Sequence, residues 1–88
     1  LKLKVRKDEF EAAGLKEGVY FVKVVEDIDE LRIVDKSDIP VRFYSENGRV
    51  FADVPDDIVQ KNKLLDGEEI EIISPKDSGW KHIAMYII

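Results

Sequence analysis

Leu1, Leu3 and Val5 alternate with Lys2, Lys4 and Arg6, the period of a strand that buries one face and solvates the other. Asp8 follows as the expected cap of a short helix running to about Ala13, and Gly14 supplies the left-handed turn that ends it. After a turn at Lys16-Glu17-Gly18, the stretch Val19 to Val25 is almost continuously apolar and rich in β-branched and aromatic residues. That pattern predicts a buried strand. Glu26 to Glu30 reads as a polar turn and Leu31 to Asp35 as a shorter strand. The same plan returns further along. Val50 to Val54 predicts a strand, Pro55 pre-sets the backbone for a helix start, and Asp56 and Asp57 fall in the first turn, where the helix dipole favours negative charge. Leu64 to Gly67 is a turn, Glu68 to Ser74 a strand, Ser74 to Gly79 a loop, and Trp80 to Ile88 a terminal strand. That last strand is too apolar for an exposed edge, so it is expected to pair on both sides inside a closed sheet.

Between the two runs, Asn47-Gly48 sits between alternating segments and predicts a tight hairpin turn, whose two central residues need positive φ. A two-residue loop sets Glu46 opposite Arg49, Tyr44 opposite Phe51 and Arg42 opposite Asp53 on one face, giving two expected ion pairs and an aromatic pair. Val41, Phe43, Val50, Ala52 and Val54 fall on the other face, the core face.

The repetition is visible in the residues themselves. At an offset of 49, Val5, Asp8, Leu15 and Gly18 align with Val54, Asp57, Leu64 and Gly67, and Phe10/Val59, Glu17/Asp66, Phe21/Ile70, Val24/Ile73 and Val34/Ile83 keep step without a gap. The chain therefore reads as one domain over residues 1–88, with copies 1–39 and 50–88 joined by the hairpin insert 40–49. Gly18 and Gly67 are expected at equivalent turns.

Composition narrows the function classes. There is no cysteine, which removes thiol catalysis and thiolate metal sites. No apolar run approaches a bilayer span and the N-terminal pattern is unlike a signal peptide, so the expectation is a cytoplasmic protein with no membrane contact. Charged residues make up 38% of the chain, with no threonine and one glutamine, a lean towards heat-loving sources. The net charge of −5 lies mainly in the second copy, while the first strand is basic.

Candidate chemistry is sparse. His82 is the only histidine and reads as a strand or interface residue. Asp56 and Asp57 are explained by the helix start, and the loop from Ser74 to Gly79 lacks the spacing of a phosphate-binding glycine loop. No catalytic, metal or cofactor site is expected, and the chain is read as a non-enzyme. Tyr44 and Phe51, with Arg42 and Arg49, are placed on the outer face of the hairpin. Either neighbouring elements cover them or they form an aromatic and arginine patch of the kind enriched at protein interfaces.

Gly48-Arg49-Val50, Val54-Pro55, Ile58, Leu64, Gly67 and Ile70-Glu71-Ile72 together resemble the strand, proline-led helix and following strand of the AbrB/SpoVT swapped-hairpin proteins. The resemblance covers the second copy best, and the arm from Gly48 to Pro55 is longer than in that family. AbrB-type chains carry one copy and intertwine as dimers, whereas two copies in one chain imply a barrel closed within a monomer. That is similar to the cradle-loop group. A mainly β, six-stranded RIFT-type barrel with two short helices and pseudo-twofold symmetry, of the small archaeal kind, is the expectation, with a double-psi barrel as the alternative. Two functions follow: a small binding or adapter module for an unknown protein partner, or, as the resemblance implies, a DNA-binding transcriptional regulator. For the second, Arg49 and Arg42 map onto the family's contact hairpin, and Lys2, Lys4, Arg6 and Lys7 would extend the surface if they share its face.

Overall fold

The structure, a computed structural model, describes residues 1–27, 30, 32–73 and 83–86. Six strands and two helices follow in the order β1 (Lys2–Val5), α1 (Lys7–Ala12), β2 (Gly18–Asp27), β3 (Arg32–Glu46), β4 (Arg49–Asp53), α2 (Asp56–Lys61), β5 (Glu69–Ile73) and β6 (Ile83–Tyr86). The strands close a mixed barrel in the order β1-β4-β3-β2-β6-β5. Its parallel ladders are β1 with β5 and β2 with β6, the others being antiparallel. The closed, mainly β architecture agrees with the reading of the pattern. So does β6, which is flanked by β2 on one side and β5 on the other. His82, the expected loop from Ser74 to Gly79 and the outer parts of the terminal strand lie outside the described residues, as does the middle of the polar turn after Asp27.

The alternation in β1 does what its period requires: Leu3 and Val5 are buried in the barrel while Lys4 is exposed. Leu3 faces Ala52 across the β1–β4 ladder, and these two residues occupy matching places in the two copies. Both are fully buried. Phe43 stands at the centre of the core, with the Phe10 ring 5.8 Å away and the Tyr20 ring edge-on at 5.9 Å. A six-residue helix is marginal by itself. What holds each one is burial, Phe10 for α1 and Ile58 with Val59 for α2.

The helices begin and end 49 residues apart and finish in the same way. In α1 the amides of Gly14 and Leu15 donate to the carbonyls of Glu11 and Phe10, and in α2 those of Lys63 and Leu64 donate to Gln60 and Val59. This is the Schellman closure, which needs a left-handed residue after the helix. Gly14 takes it at φ 71°, but in the second helix Lys63 takes it at φ 56°. Gly18 and Gly67 also carry positive φ, 147° and 80°.

Three expectations change. Asp8 is not the helix cap: Arg6 occupies that position and no side chain caps it, because Asp8 sits within the first turn and is held by the Arg6 guanidinium. The strand expected over Leu31 to Asp35 and the first arm of the hairpin are one 15-residue strand, β3. Register shifts between Val22 and Asp27 absorb the irregular stretch where the polar residues had suggested a break. Finally, β2 is not buried throughout, since Val19 and Phe21 point outward and are exposed.

Candidate functional site

The outer wall of β1, β4, β3 and β2 gathers most of the residues singled out from the sequence. Its registers place Lys2, Asp53, Arg42 and Val19 in one row across the four strands. Lys4, Phe51 and Tyr44 form the next row, and Arg49 with Glu46 the row beyond, closed by the Asn47-Gly48 turn at φ 53° and 76°. The hairpin register is the expected one. Pro40 and Phe21 make the row on the opposite side of Arg42.

The Tyr44 and Phe51 rings lie 5.8 Å apart, with Phe51 buried and Tyr44 half-buried. Among the described residues the cover includes two long cations, and the Trp80 region lies outside those residues. Lys2 lies across Phe51, its Nζ 4.0 Å from the ring centroid, and ends at the Glu46 carboxylate at 3.4 Å, while the Arg42 guanidinium rests 4.5 Å above Tyr44. Phe51 is consequently only 9% exposed. The same contacts explain why neither expected ion pair forms as drawn. Glu46 is taken by Lys2 rather than by Arg49, and Arg42 turns onto Tyr44 rather than to Asp53.

Of the basic candidates, Lys2, Lys4, Arg42 and Arg49 share this wall. Arg6 does not contribute a free charge, for its guanidinium donates to both Asp8 oxygens at 3.2 and 2.7 Å and lies 3.9 Å from Glu9. That contact holds the Asp8 carboxyl below its ordinary range and raises Arg6 further. Asp53 and Glu46 stand within the wall, so the positive groups are interrupted by carboxylates.

The exposed apolar residues were not singled out from the sequence. Val19 is 61% and Phe21 60% exposed, on the same face of β2, with Pro40 exposed beside Phe21. A groove of about 240 Å³ opens next to them, lined by Val19, Pro40, Arg42, Asp53 and Pro55. The groove has a simple cause. β4 stops at Asp53 and Pro55 turns the chain into α2, while β3, whose ladder to β4 begins at Arg42, carries on through Pro40. Pro40 is tolerated because its missing amide faces no β4 ladder there. In sequence, Val19-Tyr20-Phe21-Val22 is apolar on both faces, and a period of two cannot say which face is outside.

Comparison with known protein families, characterised proteins and solved structures returned no match. Among the described residues, no group of three or more metal-ligating side chains comes together, and no helix is long and apolar enough to cross a membrane.

Proposed function

We propose that the chain is a small non-enzymatic binding module whose partner is another protein, docked on the β2–β3 side of the outer wall. The observation that carries this reading is the exposed pair Val19 and Phe21 beside the Pro40–Pro55 groove. An aromatic side chain next to an apolar slot, with an arginine at its rim, is the composition of interface anchors. The partner would place an apolar side chain in the groove and a carboxylate near Arg42, which has no ion pair among the described residues. Tyr44 and Phe51 then serve as the wall's support, with Tyr44 reachable at the margin.

We further place the barrel in the cradle-loop group, as a RIFT-type duplication of residues 1–39 and 50–88. The matching helix ends and the Leu3–Ala52 pairing support that reading, and the barrel is expected to be a monomer in solution. The AbrB-like alternative, a DNA-binding regulator, draws on Lys2, Lys4, Arg42 and Arg49 sharing one wall. Asp53 and Glu46 in that wall weigh against it, because phosphate affinity depends on several cations acting together.

The test is affinity capture from a lysate of the native host, followed by titration of the recovered protein against the wild type and Phe21→Asp. Loss of an anchor worth about 2 kcal/mol weakens binding roughly 30-fold, with an unchanged melting temperature. Equal affinity of a correctly folded Phe21→Asp variant would overturn the proposal.

A further inference from the structure

At the far end of the wall from the groove, a second pocket of about 230 Å³ is lined by Lys4, Val5, Lys7, Gly48, Arg49, Val50 and Glu69. Three cations meet one carboxylate there. Lys4 in β1 and Lys7 at the start of α1 come from one stretch of chain, and Arg49, the first residue of β4, comes from another. The local basic run that supplies Lys4 and Lys7 does not by itself bring Arg49 to them. The fold does, through the ladder that pairs Lys4 with Phe51 and Val5 with Val50 and so carries Arg49 alongside the β1–α1 junction.

The chain has more acids than bases, 19 to 14, and many of its cations are neutralised. Lys2 holds Glu46, Arg6 holds Asp8, Lys23 holds Asp38 and Arg32 holds Glu26. Among the described residues, Lys4, Lys7 and Arg49 engage no carboxylate within ion-pair distance, even though Glu69 lines the same pocket and stands beside Lys4 in the β1–β5 ladder. Like charges gathered at short range repel unless water or an anion screens them. Gly48 brings bare backbone to the rim, with φ 76° and nothing within 4 Å of where a Cβ would stand.

We propose that this pocket binds one tetrahedral oxyanion group, a phosphate in particular. A guanidinium grips two phosphate oxygens with its fork, and two ammonium groups supply point charges that balance a dianion. The volume is below the roughly 300–1,000 Å³ of pockets that enclose a whole drug-sized ligand, so the site suits a phosphoryl group rather than the molecule that bears it. The phosphate can be a free ion or small phosphorylated molecule, or it can be part of a nucleic-acid backbone.

The experiment follows backbone amide shifts of the full chain during titration with inorganic phosphate at constant ionic strength, with chloride as the control. Saturable shifts are expected at Lys4, Lys7, Gly48 and Arg49, with a Kd of about a millimolar. Arg49→Gln and the double variant Lys4→Gln/Lys7→Gln should each weaken binding by roughly tenfold or more, while Lys16→Gln, an exposed lysine outside the pocket, should leave it unchanged. The same side chains are exposed, so the variants should melt as the wild type does in phosphate-free buffer, and only the wild type should gain melting temperature from added phosphate. Non-saturating shifts, or full affinity in the folded variants, would overturn the proposal. A short DNA duplex run in parallel separates the sources. Tighter duplex binding that phosphate displaces from these residues assigns a backbone phosphate, and phosphate binding undisturbed by the duplex assigns a small phosphorylated ligand.

Discussion

Phe51 and Phe21 both stand on the outside of the barrel, on strands only two apart, yet Phe51 is 9% exposed and Phe21 60%. The difference lies in their neighbours. Phe51 has Lys2 diagonal to it and Tyr44 directly opposite, and the lysine stem is long enough to lie over the ring while its ammonium reaches Glu46. Phe21 has Val19 and Pro40, which are too short and too rigid to fold over it, and Arg42 in the next row rests on Tyr44 instead. A phenylalanine outside a barrel is thus a support where a long cation from its row or the next lies across it, and an open anchor where the neighbouring cation rests on another ring. Burial of an outward ring depends on the reach of the side chains around it.

The comparison breaks most simply by removing each ring. Phe51→Ala should destabilise the fold by about 3 kcal/mol, near the low end for losing a buried aromatic, whereas Phe21→Ala should stay within about 0.5 kcal/mol, as at a surface position. Similar losses in denaturant titrations would mean that the two rings do not differ as described. Removing only the cover sharpens the point: Lys2→Ala should cost about 1 kcal/mol through lost cation–π and stem contacts, and Lys2→Met, which keeps the stem, clearly less. If methionine is as damaging as alanine, packing by the stem is not what covers the ring.

Where covering plays no part, the backbone decides. Lys63 holds the left-handed helix-end position that Gly14 holds in α1, so Lys63→Gly should stabilise by roughly 0.5–1 kcal/mol, and a loss of stability would refute the equivalence of the two helix ends. Glu9 shows the smallest and most conditional effect, because it has cover without a hydrogen bond and only a distant ion pair with Arg6. One of its carboxylate oxygens is buried without a hydrogen bond, and burial, reinforced by Glu71, raises its pKa. The folded state then holds this proton more tightly than the unfolded chain does. Its contribution is therefore most favourable below the ordinary carboxylate range and is lost as pH rises through the raised value. Glu9→Gln should raise the melting temperature at neutral pH and lose that advantage in acid. An advantage that is the same at both pH values would mean that ionisation of Glu9 has no part in it.

Much of the fold was legible because the deciding signals are local. Asn47-Gly48 fixes the turn and hence the pairing of Tyr44 with Phe51, and the alternation of Leu3 and Val5 with lysines fixes which face of β1 is inside. The length of β3 was not legible, since Pro40 and the polar residues before it resemble a break, and only the bulged pairing with β2 keeps the strand whole. The site was legible in part. Lys2, Lys4, Arg42 and Arg49 do share a wall, but which acid each would meet depends on diagonal reach across three strands, and Lys2 reaches Glu46 before Arg49 does. Lys7 was legible as part of the basic start of the chain but not as part of a pocket, because Gly48, Arg49, Val50 and Glu69, which complete it, lie more than 40 residues away in sequence.

The place where β3 outruns β4 also bears on how another chain can approach. A strand flank with no ladder beside it is a potential template for an incoming strand, which would hydrogen-bond to open backbone groups and lengthen the sheet from one molecule to the next, and the β3–β4 ladder reaches no further than Arg42. Pro40 lies in that flank and has no amide hydrogen to offer. A visiting strand would lose a bond where the flank approaches the groove, so the arrangement favours recognition by side chains and disfavours templated stacking of copies into fibres.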